Sequence, residues 1–297
     1  MYLFIARVNT WDNGDTEPTP VDTIRESRFE PWRQMIAAKR VQESDVSFCV
    51  PRYNWTTGTV YSEYSDTDSG MYGNQFYVIT TDFNVYKCLF NDRGAASTVK
   101  PTGTSTSIFR TSDGYKWKFM YSVSAADVLK FVTTSFIPVK TLTADDGTTQ
   151  WDIQQAATNN SIDIIDVTAN GSGYAYRANT FGSVTNSSVV VLDSSASAVD
   201  EAYTGSAIYI SAGLGSGQLA NVSAYIGSSK TLTLSPAFTT TPNSTSSYHI
   251  GPKILITGDG VPDSAKAYAN ASSGQISHIN MISVGSGFSK ANVQISG

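Results

Sequence analysis

Two segments of the chain indicate its fold class, Val85-Tyr-Lys-Cys-Leu-Phe-Asn91 and Asp113-Gly-Tyr-Lys-Trp-Lys-Phe-Met-Tyr121. Both are rich in the β-branched and aromatic residues that are typical of strands. Strands of this composition are predicted in the first half at 2–8, 46–50, 59–64, 76–80, 84–90, 116–123 and 136–139. The sequence therefore predicts a mainly β protein, built of multi-domain antiparallel β sandwich or barrel modules with a few short helices.

The first predicted helix begins at Pro31, because proline is favoured at a first helical position. Trp32, Met35, Ile36 and Lys39 follow at helical spacing. Residues 9–28, which precede this helix, are polar, carry two prolines and lack periodicity. This segment is either an exposed loop or an extended arm that becomes ordered against a partner.

The second predicted helix follows Ser124, whose hydroxyl can cap it while Asp127 reaches back as in a capping box. Its expected apolar face is formed by Val128, Leu129 and Val132. Both helices are short, so strands dominate the first half.

Composition changes near residue 150. Residues 1–150 hold 15 of the 20 basic residues, 17 of the 25 acidic residues and four of the five tryptophans. The second half is rich in Ser, Thr, Gly and Asn. A boundary is therefore expected near the turn at Asp145-Asp-Gly147. The expected units are a β-rich N-terminal domain at 1–150, a repeat domain at 151–200 plus 251–297, and a small inserted β module at 201–250.

The second half contains a near-repeat, in which Ile165-Asp-Val-Thr-Ala-Asn-Gly-Ser-Gly-Tyr174 corresponds to Asn280-Met-Ile-Ser-Val-Gly-Ser-Gly-Phe288. Each copy is predicted to be a strand, a Gly-Ser-Gly turn, an aromatic residue that covers the turn, and a second strand. Phosphate-binding glycine loops lead into a helix, whereas both copies lead into strand-like sequence. A structural hairpin is therefore expected. Between the copies, alternating runs with turns about every ten residues predict a small antiparallel barrel or sandwich.

Charge and hydropathy exclude several classes of protein. The chain has a net charge of −5 and lacks the clusters of Lys and Arg that nucleic-acid binding requires. No segment approaches the apolar length of a membrane-spanning helix, so we expect a soluble protein without direct membrane insertion. The N-terminal residues read as a strand and not as a secretion signal. Cys49 and Cys88 lie in apolar runs and are expected to be buried free thiols.

The sequence offers little material for catalysis. His249 is expected at a strand end, and alternation places His278 on the solvent-facing side of its strand. The paired carboxylates Asp145-Asp146, Asp200-Glu201 and Asp66 with Asp68 lie in turns, where such acids cap backbone amides. Oxygen ligands for calcium at Asp12, Asn13 and Asp15, or at Asp66, Asp68 and Ser69, lack the spacing of an EF-hand. We predict no catalytic residues, no cofactor and no metal site.

Tyr, Trp and Arg are enriched at interface hot spots, and they are concentrated in the first third of the chain. About half of these rings are expected in the core. The candidate protein-protein interface residues are Trp11, Pro18, Pro20, Arg25, Arg28, Tyr53 and Trp55.

The order of motifs in residues 2–140 resembles one structural family. The motifs are Trp11-Asp-Asn-Gly-Asp, Pro18-Thr-Pro-Val-Asp22, Trp32-Arg-Gln-Met-Ile36, Asp45-Val-Ser-Phe, Val50-Pro-Arg-Tyr-Asn-Trp-Thr-Thr-Gly58, Val85-Tyr-Lys-Cys-Leu-Phe-Asn91, Pro101-Thr-Gly-Thr-Ser105 and Asp113-Gly-Tyr-Lys-Trp-Lys-Phe-Met-Tyr121. Together they resemble the baseplate wedge subunit of contractile-tailed, T-even-like bacteriophages, the gene product 8 family. The likeness continues more loosely through Gln150-Trp-Asp-Ile-Gln-Gln-Ala-Ala157 into the repeat.

This resemblance implies a homodimeric structural subunit, made in the host cytoplasm, that joins other baseplate wedge proteins at the periphery of the virion's tail baseplate. It implies no enzyme activity. The alternative is a carbohydrate- or receptor-binding tail appendage protein that uses the module at 201–250. Exposed faces on Tyr203, Tyr209 and Tyr225 would favour that alternative, and burial of these rings would favour the wedge.

Overall fold

The fold is mainly β. The structure, a computed structural model, describes residues 1–7, 14–16, 19, 29 and 31–297. Its first half contains β1 (Tyr2–Ala6), β2 (Met35–Arg40), β3 (Phe48–Pro51), β4 (Tyr77–Ile79), β5 (Asn84–Phe90), β6 (Phe109–Arg110), β7 (Lys116–Ser122), α1 (Ala125–Phe131), β8 (Phe136–Val139) and α2 (Thr149–Gln155). Short 3₁₀ turns lie at Glu43–Asp45 and Met71–Gly73.

The N-terminal half is organised around an antiparallel sheet with the strand order β4-β5-β7-β6. One face of this sheet carries the fully buried rings of Tyr86, Trp117 and Phe119, with Tyr61 and Tyr115 packed against them. On the other face, one end packs against the β3–β8 pair and α1. The predicted strands at 84–90 and 136–139 are confirmed, and those at 46–50, 76–80 and 116–123 are confirmed with shifted ends.

The helix predicted from Pro31 through Lys39 is wrong. Residues 31–33 are helical, but Met35–Arg40 forms β2, which pairs antiparallel with β1. The apolar run of β2 fits helix and strand equally well over so short a length. Its backbone bonds to β1 decide in favour of the strand, and they join residues from 29 positions apart (Ala6 and Met35) to 38 positions apart (Tyr2 and Arg40).

Two further predictions in this half need correction. Residues 59–64 form no strand beyond a bridge from Thr59 to Ser97, because Tyr61 is fixed by its side chain instead, with its hydroxyl accepting from the Thr56 amide at 2.7 Å. Helix α1 does begin after Ser124, whose Oγ accepts from the Asp127 amide at 3.1 Å. Leu129, however, is 89% exposed and lies off the apolar face.

The second half begins with a seven-stranded antiparallel sheet in the order β10-β11-β14-β13-β12-β15-β9. Its strands are β9 (Arg177–Thr180), β10 (Ser183–Val184), β11 (Val189–Val191), β12 (Ala207–Ala212), β13 (Leu219–Ile226), β14 (Thr231–Ser235) and β15 (Ser247–Gly251). The two edge strands, β9 and β10, are joined by only Phe181 and Gly182. Such a link spans at most about 11 Å, so the sheet curls into a small barrel, as the alternation predicted.

The barrel interior is filled by residues that alternate along each strand, among them Ile208, Ile210, Val222, Leu232 and Ile250. Two of its strands, β9 and β15, carry a polar cluster. Arg177 pairs with Asp193, and Arg177 Nε donates to the Tyr248 hydroxyl at 2.9 Å. That hydroxyl in turn donates to Asp193 Oδ2 at 3.0 Å. Each side chain of this cluster therefore has a hydrogen-bond partner within it.

The chain ends in two β pairs, β16 (Lys253–Gly258) with β19 (Ala291–Ser296) and β17 (Ala265–Ser272) with β18 (Gln275–Val284). The Gly-Ser-Gly turn at 285–287 connects β18 to β19. Because these strands belong to different pairs, the turn forms an arch between two sheets and not the predicted hairpin.

The two copies of the Gly-Ser-Gly turn have the same backbone conformation. Gly171 and Gly285 have φ of 61° and 64°, a region that favours glycine. The ring of Tyr174 lies against Gly171, and the ring of Phe288 lies against Gly285. The aromatic residue therefore covers the turn in both copies, as predicted, although no strand precedes the first copy.

Candidate interaction surface

Strands β1 and β2 form a two-stranded ribbon, here called the N-terminal ribbon and defined as residues 1–7 and 31–41. The register pairs Tyr2 with Arg40, Phe4 with Ala38, and Ile5 with Ala37. Two further backbone bonds close its ends: the Arg7 amide donates to the Gln34 carbonyl and the Val41 amide to the Met1 carbonyl, both at 3.0 Å. The connection between the two strands contains the predicted arm at 9–28.

Both faces of the N-terminal ribbon are apolar and exposed. Leu3 and Ile5, on one face, are 69% and 67% exposed, and Tyr2, on the other, is 61% exposed. Ile36, at the bulge in β2, is 71% exposed. On the face that carries Tyr2, the Phe4 ring stacks on Trp32 with centroids 5.6 Å apart. A strand that packs on one side only alternates apolar with polar residues, and these strands do not.

The N-terminal ribbon is also basic. Its side chains include Arg7, Arg33, Lys39 and Arg40, and residues 1–7 and 31–41 contain no Asp or Glu, although the whole chain has a net charge of −5. Lys39 Nζ donates to Asp45 Oδ1 at 3.1 Å. The surface therefore combines exposed apolar side chains with positive charge.

The predicted interface residues are only partly described. Trp11, Pro18, Pro20, Arg25 and Arg28 lie outside the described residues, as does most of the arm. Tyr53 is half-buried, with its ring centroid 5.2 Å from that of Tyr77. Trp55 is half-buried as well, and its Nε1 donates to Ser97 Oγ at 3.1 Å. Both rings make contacts within the N-terminal half.

The tyrosines of the barrel do not form an open aromatic surface. Tyr203 and Tyr225 are buried and meet edge to face with centroids 4.8 Å apart. Tyr209 is half-buried, and its ring stacks on Tyr268 of β17 at 4.0 Å. These rings hold the barrel together and attach it to the C-terminal strands.

A second charged surface lies at the junction of the two halves of the chain. The register of β5, β7 and β6 places Lys87 opposite Lys118 and Arg110 opposite Lys116, on the face away from the aromatic core. Like charges directly opposite each other are destabilising. Burial, followed by the charge of Lys118, lowers the pKa of Lys87.

The C-terminal half covers this basic face. The buried Lys116 Nζ donates to the Ile279 carbonyl at 2.7 Å, and burial, followed by the charge of Arg110, lowers the pKa of Lys116 to about 8. Arg93 pairs with Asp166 at 3.2 Å. Clefts of about 630 and 500 Å³ remain along this junction, lined mainly by polar residues. The basic face thus serves as an internal contact between the halves.

His278 lies at the same junction, and its predicted solvent-facing position is wrong. Its Nε2 lies 2.8 Å from Asn270 Nδ2 and its Nδ1 lies 3.0 Å from Ser277 Oγ. The Ser277 hydroxyl donates to the Asn270 carbonyl, so Nδ1 carries the proton and donates to Ser277. Burial, followed by the charges of Arg110, Lys116 and His249, lowers the pKa of His278 to about 4. The ring is therefore neutral at pH 7.

The candidate carboxylate pairs are engaged in turns. Asp145 accepts from the Gly147 amide at 2.8 Å and Asp146 from the Thr148 amide at 3.1 Å. Asp200 accepts from the Gly227 amide at 2.8 Å, and Asp68 from the Gly70 amide at 2.8 Å. Their oxygens satisfy backbone donors, which is the role predicted for them.

In the part of the chain that the structure describes, no three His, Cys, Asp or Glu side chains are grouped as metal ligands would be. Within that same part, no helix is long and apolar enough to cross a membrane. Cys88 is buried, as predicted, and burial raises the pKa of its thiol to about 12. Cys49 is exposed, which corrects the prediction for that residue.

Comparison with known proteins gives no match: no protein-family model, curated protein or solved structure is significantly similar to this chain.

The N-terminal ribbon was not identified from the sequence as an interaction surface. The available signal was the uninterrupted apolar run from Tyr2 to Ala6, which lacks the alternation of a one-sided strand. The second strand was predicted as a helix, so the pairing that displays both runs together was not foreseen.

Proposed function

We propose that this chain is a structural subunit of a bacteriophage tail baseplate, a wedge protein that joins neighbouring wedge proteins at the baseplate periphery and catalyses nothing. The likeness of residues 2–140 to that family supplies the setting. The observation that carries the role is the exposure of apolar side chains on both faces of the N-terminal ribbon.

An isolated two-stranded ribbon is at best marginally stable in water. Exposed, contiguous apolar surface on a folded protein marks a site of association. The N-terminal ribbon combines both features, since Leu3, Ile5 and Ile36 are all more than 60% exposed. A subunit whose task is assembly accounts for this surface, because the contacts that cover it come from the assembled particle.

The barrel supports an assembly role over receptor binding. A carbohydrate-binding surface would present aromatic faces to its ligand, whereas Tyr203 and Tyr225 are buried. Tyr209 is stacked on Tyr268. We therefore favour assembly.

The mass of the purified full-length chain in solution, measured by light scattering alone and mixed with the other baseplate proteins of the same virus, tests this function. A dimer that enters a defined larger complex is the expected result. A chain that joins none of those proteins but binds host-surface glycan would replace the proposed function with receptor binding.

A further inference from the structure

We propose that the N-terminal ribbon inserts into a groove of a different protein that covers both of its faces and carries acidic residues at its rim. This inference rests on the proposed assembly function and adds to it the mode of docking and the chemistry of the partner.

The two faces of the N-terminal ribbon require cover on both sides. Leu3, Ile5 and Ala37 lie on one face, and Tyr2, Phe4 and Ala38 lie on the other, while Ile36 lies at the bulge between the Ile5–Ala37 and Ala6–Met35 pairs. Uninterrupted apolar strands are typical of strands buried on both faces. Docking flat on a surface would cover one face and leave the second in water, so a groove with two walls fits the pattern better.

The small residues Ala37 and Ala38 lie in the middle of β2, one on each face. Neither has a side chain beyond Cβ, so a wall on either side can approach the backbone closely at this point. The larger side chains of β1, directly opposite in the register, would fill the space beside them. This arrangement fits a narrow groove.

The basic side chains of the N-terminal ribbon indicate which charge the rim of the partner's groove carries. Tyr2 is paired with Arg40, so its apolar face ends in a basic side chain near the N-terminus of β1, whereas Lys39, opposite Leu3 on the other face, already forms an ion pair with Asp45. Long basic side chains can keep their charged ends in water while their stems lie along apolar surface. Acidic residues at the edges of the groove would complement these charges and favour this partner over others.

A second copy of this chain does not fit the requirement. Two ribbons packed face to face would each cover one face of the other and leave two apolar faces exposed. The two clefts described on this chain are lined mainly by polar and charged side chains, such as Glu63, Asp68 and Lys118. An apolar ribbon gains little free energy from burial against such walls. We therefore assign the groove to a different protein.

The test uses full-length variants and the purified wedge proteins of the same virus, added one at a time. Leu3→Glu changes one face and Tyr2→Glu changes the other. Leu129→Glu, on α1, is the matched control, because Leu129 is also highly exposed and lies outside the N-terminal ribbon. Each ribbon variant is expected to weaken binding at least about tenfold, as loss of a buried apolar anchor does, whereas the control binds like the wild type.

Two further measurements test the acidic rim of the groove and the burial of β1 and β2 by the partner. Arg40→Glu should weaken binding and reduce its dependence on salt, since ion pairs at a rim are screened by added salt. Hydrogen exchange of the β1 and β2 amides should slow when the partner binds. Strong protection of both strands in the isolated chain, unchanged by the partner, would overturn the proposal.

The outcomes separate this inference from the proposed function. If the wild type joins a wedge protein and only one of the two face variants is impaired, the N-terminal ribbon docks flat and insertion is wrong. If neither variant is impaired, assembly uses another surface. If the wild type joins none of the wedge proteins, the proposed function fails as well.

Discussion

The rings of Tyr209 and Tyr268 stack 4.0 Å apart with an angle of 12° between their planes. Tyr209 belongs to β12 of the barrel and Tyr268 to β17, outside it. Burial raises the pKa of both hydroxyls. The stack is therefore one of the contacts between the barrel and the C-terminal strands, beside the His249 ring of β15, whose centroid lies 6.2 Å from that of Tyr268.

Removal of this contact should loosen the barrel from the C-terminal strands. Tyr209→Ala is expected to lower the free energy of unfolding by about 2 kcal/mol, through lost burial and lost ring stacking. Tyr209→Phe keeps the ring and should stay close to the wild type. Denaturant unfolding monitored by fluorescence measures both. Equal destabilisation by the two variants would mean that the hydroxyl, and not the stack, makes the contact.

The ion pair between Arg177 and Asp193 should contribute strongly to the stability of the barrel. The two side chains are only 14% and 19% exposed, and the guanidinium of Arg177 holds the pKa of Asp193 well below its usual range. Arg177→Met would leave this carboxylate without its partner, a loss of about 3 to 5 kcal/mol. Asp82→Asn, which breaks the more exposed Lys100–Asp82 pair, is the control and should cost less than about 1 kcal/mol.

The same pair should make stability depend on acid. A carboxyl whose folded pKa is depressed contributes stability above its unfolded pKa, about 4, and loses it as the pH falls through the folded value. The wild type should therefore lose stability below about pH 4 more steeply than Asp193→Asn does. Parallel curves of unfolding free energy against pH for the two proteins would contradict this role of Asp193.

His278 should make the stability of the fold depend on pH over a second, less acidic range. Its folded pKa is about 4 and its unfolded pKa is about 6.5, so the unfolded chain binds the additional proton first as the pH falls. The contribution to stability is complete above about pH 6.5 and is lost towards pH 4. His278→Gln should flatten the stability curve over this range in denaturant titrations. A variant curve as steep as that of the wild type would assign the loss to other groups.

The glycines of the arch provide a test of backbone strain against side-chain contact. Both Gly285 and Gly287 have positive φ, but a Cβ at Gly285 would lie 2.7 Å from the Phe288 ring, whereas a Cβ at Gly287 would make only ordinary van der Waals contacts, at 3.8 and 3.9 Å. Gly287→Ala should cost about 1 kcal/mol from backbone strain alone. Gly285→Ala should cost more, because the Phe288 ring, Ser264 Oγ and Ala265 Cβ all lie within 3 Å of the added Cβ and must move. Thermal unfolding ranks the two variants, and equal losses would show that these groups yield freely.

The sequence predicted the elements whose pattern is local. Strand β5 is rich in β-branched and aromatic residues, and α1 begins at a serine cap, so their own residues determine them. Strand β2 depends on pairing with β1 from beyond a long connection, and its few residues could not distinguish helix from strand. The exposed faces of the N-terminal ribbon depend on that same pairing. The candidate surface could therefore not be recognised from the sequence, which did not reveal the pairing.

Lys116 is another residue whose surroundings depend on a distant part of the chain, and the pKa of its ammonium group provides the last prediction. Its neighbour Trp117 lies in the core, but the sequence cannot show that Ile279 covers Lys116 from 163 positions away. Its folded pKa of about 8 lies below the unfolded value of about 10.4. Between these values the unfolded state binds more protons, so the free energy of unfolding rises with pH. Lys116→Met removes the contribution of Lys116 to this pH dependence, and the other titrating groups are common to both proteins. The stability of the wild type relative to the variant should therefore increase from pH 7 to about pH 9.5 in paired denaturant titrations, whereas a constant difference would place the ammonium group in water and not against the Ile279 carbonyl.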